Sequence, residues 1–292
     1  METGHIFCFG LGFSSSTLAR ALLLRRWAVA GTTRNGQLPT RLAGLDVQVF
    51  PFDGSTPFAE FGNEITKSDH LLISAPPGLT GDPVLHQHGD DLACLEHLKW
   101  VGYLSTTGVY GDHGGDWVDE QTPLQPINAR SKRRQAAEDA WLSLWRHHNI
   151  PVHVFRLAGI YGPGRNALAT LKSGRAKRVV KPGQVFSRIH VEDIAQTLLQ
   201  SMSRPLPGAV YNVCDNEAAP PQDVISYGAE LLGVSAPPEI AFEEAEMTDM
   251  ARSFYSDNKR VSNDRITQEL GVRLKYPTFR EGLQACLKTD GG

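Results

Sequence analysis

A chain of 292 residues, 41% hydrophobic and 21% charged, is long enough for one large α/β domain or a domain with a smaller lobe, and has the balance of a soluble globular protein. Its net charge of −3 excludes the basic stripe of a nucleic-acid-binding surface. Cys8, Cys94, Cys214 and Cys286 form no C-x-x-C pair, which argues against disulfides and zinc and for reduced thiols in a cytoplasmic protein. No apolar run is long enough to span a bilayer, and the chain enters a strand-like run by Ile6, so neither a membrane partner nor a signal peptide is expected.

That first run, Ile6 to Phe9, feeds into Gly10-Leu11-Gly12-Phe13-Ser14-Ser15-Ser16. A G-x-G-x-x-S pattern between strand and helix is the layout of a turn that binds the pyrophosphate of a dinucleotide. Gly10 takes the tight turn, Gly12 admits the phosphates, and the helix start offers unpaired N–H groups. Phe13, Ser14 and Ser15 complete the candidate turn, the serines being able to cap the helix or meet phosphate. The alternative is a glycine turn without a ligand. A helix is expected over about Ser14–Arg26, with Leu18, Ala19, Leu22 and Leu23 as its apolar stripe. A second strand, Trp27–Thr32, leads to Thr33 and Arg34, where an NAD site usually has an acid to hold the ribose 2′-hydroxyl. Hydroxyls and a guanidinium suit a 2′-phosphate, so NADP is expected, with NAD possible. The alternative for Arg34 is a solvated loop arginine.

A third strand, Val47–Phe50, runs towards Asp53, and a fourth, Leu71–Ala75, ends in Pro76-Pro77-Gly78. Asp82 to Trp100 contains a helix with Leu85, Leu92, Leu95 and Leu98 pointing inward. His86 and His88, two residues apart, do not share a helix face, so no metal site is expected there. The strand beginning at Val101 ends in Ser105-Thr106-Thr107-Gly108-Val109-Tyr110-Gly111, hydroxyl residues at the carboxyl end where open α/β sheets bind ligands. A long helix follows over Ala129–His148, with Lys132, Arg133 and Arg134 near its start and Ala136, Ala140 and Leu144 as its stripe. After the strand Pro151–Ala158, glycine and proline dominate from Gly159 to Gly183, which places a boundary near residue 165. Residues 1–165 then form the nucleotide-binding domain and 166–292 a C-terminal lobe, with 186–214 returning to the core. Val185 onward opens a helix ending near Met202, Ala209–Val213 is a strand, and helices are expected at Val224–Leu232, Arg265–Leu270 and Thr278–Leu287.

Taken in order, the glycine turn, Asp53, Ser105–Gly111, Arg156-Leu157-Ala158-Gly159-Ile160-Tyr161-Gly162-Pro163-Gly164 and Ile189-His190-Val191-Glu192-Asp193-Ile194-Ala195 span nearly the whole chain. In these motifs the sequence resembles the short-chain dehydrogenase/reductase superfamily, in its extended branch of nucleotide-sugar epimerases and dehydratases and their atypical relatives. The resemblance implies an α/β, Rossmann-type, doubly wound parallel sheet with a smaller C-terminal lobe capping the substrate. It implies that Asp53 holds the adenine amino group and that Ala75, Pro76 and Leu157 line the cofactor at strand ends. It also implies a Ser/Thr that bonds the reacting oxygen, a Tyr that moves its proton, and a Lys four residues on that lowers the Tyr pKa and holds the nicotinamide ribose. These positions fall on Thr106, Asn128 and Lys132. Asparagine cannot move the proton, and no tyrosine lies between Tyr110 and Tyr161. Tyr110 is therefore entered as the candidate phenol, with Tyr161 behind it. The implied activity is an NAD(P)-dependent oxidoreductase or epimerase/dehydratase acting on a small polar substrate, possibly a nucleotide sugar, as a monomer or homodimer. The alternative is a catalytically impaired NADP-binding sensor or partner protein.

Overall fold

Seven strands form one parallel sheet: β1 (His5–Phe9), β2 (Ala28–Thr33), β3 (Gln48–Pro51), β4 (His70–Ile73), β5 (Trp100–Thr106), β6 (Val152–Leu157) and β7 (Val210–Val213). Their order is β7-β6-β5-β4-β1-β2-β3. The structure, a computed structural model, describes residues 3–290. The sequence direction across the sheet reverses between β1 and β4, which opens a crevice beyond their carboxyl ends.

β1 shows why the sheet is covered on both faces. Ile6 and Cys8 enter one core with Leu18 and Leu22, while Phe7 and Phe9 enter the other with Phe52, Phe58 and Phe61. A strand without a polar face is stable only between two layers of helices. Helix α1 (Phe13–Leu23) buries Leu18, Ala19 and Leu22 and packs on α4 (Val191–Ser203). Each fully buried leucine contributes about 1.5–3 kcal/mol. The helix stops at Leu23, short of the expected Arg26, because Arg26 takes a left-handed φ of 60° and Trp27 N–H turns back to the Leu22 carbonyl.

Helix α2 (Pro83–Ala93) is capped by Asp82, whose carboxylate accepts the N–H groups of Val84 and Leu85. His88 is a core residue. Its Nε2 accepts the Phe58 N–H at 2.8 Å, so Nδ1 donates to Asp91, and the ring stacks 4.0 Å from that of Phe61.

Helix α3 has the expected bounds, Ala129–His148, but not the expected face. It buries Ser131, Ala137, Glu138, Trp141 and Leu144, and leaves Ala136 and Ala140 exposed. Trp141 has far more apolar surface to remove from water than either alanine, and Glu138 is drawn inward by Arg156 of β6. These two turn the helix by about one residue.

In the second half, three short parallel pairs accompany the main sheet: Gly159–Tyr161 with Arg188–His190, Arg178–Val180 with Glu239–Ala241, and Trp117–Val118 with Arg260–Val261. Residues 188–190, expected in a helix, are therefore strand, and α4 begins only at Val191, where the His190 ring accepts the Glu192 N–H. Asp193 accepts the N–H groups of Lys275 and Tyr276 at 2.7 and 3.0 Å, fixing the C-terminal segment on α4. Helices α5 (Pro221–Leu232) and α6 (Phe279–Asp290) pack together beside Tyr161.

Candidate functional site

The glycine turn sits at the crevice between β1 and β4. Gly10 has φ +96°, and a Cβ there would lie 3.1 Å from the Ala75 nitrogen, so the position requires glycine. The turn is fixed to β2 by the Gly10 N–H bond to Thr32 Oγ1 (3.0 Å) and the Leu11 N–H bond to the Thr32 carbonyl (2.8 Å). Gly12 is the N-cap of α1 and has no capping side chain. A Cβ added at Gly12 meets no atom within 4 Å, so the space in front of the helix start is open. The first N–H groups of α1 have no intrahelical partner, and with them the helix presents the positive end of its dipole at its start.

A cleft of about 210 Å³ runs from this turn along the strand ends, lined by Gly10, Gly12, Thr33, Arg34, Asp53, Ala75 and Pro76. Seven of the residues expected to bind the cofactor are thus brought together. Arg34 is exposed at its rim. The Ser55 hydroxyl and N–H bond to the Asp53 carboxylate, and with Arg34 nearby they hold it below the usual carboxylate range. Thr33 donates its hydroxyl to the Gln37 carbonyl or Asn35 within its own loop.

Other expectations change. Ser14, Ser15 and Ser16 are buried in α1, and none caps it, the N-cap being Gly12. Ser16 donates back to the Leu11 carbonyl, and Ser15 Oγ has no partner among the described residues. Phe13, half-buried at the first position of α1, and Leu157, buried at the end of β6, are not among the residues lining the cleft.

Around β5 the candidate catalytic set separates. Thr106 ends the strand half-buried, and its Oγ1 accepts the Gly108 N–H at 3.1 Å, which leaves the hydroxyl proton for another acceptor. Tyr110 is a core residue, not a proton carrier at the cleft. Its hydroxyl donates to Asn212 at 2.7 Å and accepts from Arg156 at 2.9 Å, and burial pushes its pKa up to about 12. Tyr161 is also enclosed, with burial raising its pKa further. Lys132 is exposed, off the face of α3 that meets the sheet. The cation on that face is Arg134, which donates to the Leu104 carbonyl at 2.8 Å and the Tyr103 hydroxyl at 3.2 Å. Asn128 is the N-cap of α3, its amide oxygen accepting the Ser131 N–H at 2.9 Å.

Sequence reasoning also missed Glu138. Its carboxylate accepts the Ser105 hydroxyl and is gripped by Arg156 through Nε and Nη2, the latter at 2.8 Å. Both partners are at least nine-tenths buried, and together they join β5, α3 and β6 directly behind Thr106. The spacing 131, 134, 138, 141 on one helical face is the signal that would have found it.

A larger cavity, about 870 Å³, lies elsewhere, between residues 117–122 and 261–269 beside β7. Glu120 at its wall accepts the Asn212 N–H, and burial raises its pKa. Asp215 is buried there with one carboxylate oxygen unpartnered among the described residues, and burial pushes its pKa from 3.8 up to about 8. The folded state then holds the proton more tightly, so this residue's contribution to stability is full below about pH 4 and is lost as pH rises through 8. Asp215→Asn should remove that loss. Urea unfolding at pH 5 and pH 9 tests it, and an unchanged pH slope would contradict it.

A glycine turn at the switch point of a seven-stranded parallel sheet, opening on a strand-end cleft, defines a Rossmann-type fold. The model of the NAD dependent epimerase/dehydratase family matches residues 92–214 of the chain. The chain is 52% identical to a conserved protein of unknown function from Silicibacter pomeroyi DSS, covering 98% of this chain and 99% of that one, with a TM-score of 0.91. It is 29% identical over 280 residues to protein YeeZ of Escherichia coli (strain K12), covering 92% of this chain and 94% of that protein. The UDP-glucuronic acid 4-epimerase of Bacillus cereus, solved with UDP-glucuronic acid and NAD, shares the fold at 17% identity, with a TM-score of 0.78 over 98% of this chain and 99% of that one. Among the described residues no helix is long and apolar enough to cross a membrane.

Proposed function

We propose that the protein binds NADP(H) in the cleft between Gly12 and Asp53 and acts as an epimerase- or dehydratase-like oxidoreductase on a small polar substrate, a nucleotide sugar being the class that the matching family model and the UDP-glucuronic acid 4-epimerase of like fold suggest. The observation that carries the reading is the open space in front of Gly12, at a helix start that no side chain caps. When bound, the nicotinamide supplies hydride chemistry. The chain's own part is to hold the dinucleotide and to orient the substrate oxygen with the Thr106 hydroxyl, whose proton is uncommitted. The Glu138–Arg156 pair fixes that strand end, and Arg134 is the cation that α3 turns towards it. The four cysteines are free, which supports a cytoplasmic setting.

The preference for NADP rests on Arg34 at the rim and on the lack of an acid after β2. NADPH is expected to bind more tightly than NADH, and Arg34→Ala to remove most of the difference, on the order of tenfold for one charge-assisted hydrogen bond. Fluorescence titration of both cofactors checks this; equal affinities in the parent protein would contradict it.

A second reading, a cofactor-binding sensor with little turnover, has one observation in its favour. Asn128, at the position where the family resemblance puts the proton-moving tyrosine, is occupied as a helix cap. Slow hydride transfer from NADPH-loaded protein across a panel of nucleotide sugars and small carbonyl compounds would support it, and rapid turnover would remove it.

A further inference from the structure

We propose that Arg41 and Arg165, delivered by two separate loops, close over the pyrophosphate of the bound dinucleotide as a pair of guanidinium clamps; the proposal rests on the dinucleotide reading of the cleft. Both cations lie over the ring of Phe13, Arg41 at 4.4 Å and Arg165 at 5.6 Å from its centroid. Phe13 is the first residue of α1, next in the chain to Gly12 of the cleft, and its ring reaches the Gly162 loop, so the two cations gather between the helix start and that loop.

The two loops are built to hold these positions. Arg41 follows β2 in a short 3₁₀ turn anchored by the buried Leu42, and its carbonyl accepts from Arg20 of α1. Arg165 closes the loop after β6, which folds on itself through reciprocal backbone bonds between Gly162 and Arg165 of 3.0 and 2.9 Å. Arg41 reaches across to that loop by donating to the Pro163 carbonyl at 3.1 Å.

Neither arginine has a carboxylate partner among the described residues, although an acid lies close. The Asp290 carboxylate accepts instead from Gly164 N–H and Asn166 Nδ2. Two exposed guanidiniums on one ring repel each other. An anion between them turns that repulsion into attraction, and the planar guanidinium fork matches phosphate oxygens in pairs. The stacking on Phe13 orders both side chains before the ligand arrives.

The proposal separates these residues from Arg34. Pyrophosphate is common to NADPH and NADH, so Arg41→Gln and Arg165→Gln should weaken both cofactors equally, each by about tenfold, and the double variant further. Arg41→Lys and Arg165→Lys, which keep the charge and lose the fork, should fall between. ADP-ribose should respond as the whole cofactors do, and phosphate-free adenosine should not. Calorimetric titration of the full-length variants, with thermal melts to verify folding, reads all of these. Unchanged binding in the double variant would overturn the clamp while leaving the dinucleotide reading intact. A loss confined to NADPH would also overturn it, because the anion would then be the 2′-phosphate. A parent protein that binds none of the three dinucleotide probes would bring down both.

Discussion

Gly12→Val should lower the affinity for NADPH and NADH on the order of a hundredfold, about 3 kcal/mol, in a protein that still folds. The backbone at Gly12 has φ −82° and ψ −160°, extended values open to any residue, and the new side chain would meet no protein atom at its Cβ. Its volume would instead occupy the space where phosphate must approach the α1 N–H groups. The cost to stability should stay within about 1 kcal/mol, the scale of an exposed cap substitution. Parallel cofactor titration and urea unfolding measure both sides. Retained affinity would show that nothing binds against this helix start.

The largest effect on stability is expected at Glu138. Glu138→Ala leaves the Arg156 guanidinium buried without its carboxylate and strips the Ser105 hydroxyl of its acceptor. Breaking a buried pair by removing one partner costs about 3–5 kcal/mol, because the remaining charge is uncompensated. Glu138→Gln, which keeps an acceptor oxygen, should lose less. Urea unfolding near neutral pH gives the difference, and a loss under about 1 kcal/mol would place the pair among weak surface ion pairs. Because Ser105 precedes Thr106, the alanine variant should also loosen the strand end that carries Thr106.

The strand-end cleft was legible in the sequence because its determinants are local. Gly10 needs a positive φ, Gly12 needs space, and Arg34 and Asp53 follow directly on strands with clear apolar runs. The layering follows from the same pattern, since runs such as Leu71–Ile73 must be covered on both faces. The capping role considered for the serines after Gly12 fails because the N-cap is Gly12 itself, and their burial depends on what α1 packs against, which the turn does not reveal.

The catalytic half was less legible. Reading Lys132 as the inward cation rests on charge type and counting, whereas the rotation of α3 is set by Trp141 and by a carboxylate whose partner lies 18 residues on in another strand. An alanine stripe says little about rotation, because alanine loses little by facing water. Tyr110 illustrates the same limit: its bonds run to Asn212 and Arg156, 102 and 46 residues away.

Native mass spectrometry of the purified protein, followed by denaturation to release what it carried, tests the central claim most directly. The proposed function predicts a bound adenine dinucleotide, NADP(H) ahead of NAD(H), at one per chain. Protein that is purified empty and stays empty in millimolar NADPH and NADH would contradict it, and would make the glycine turn a structural feature alone.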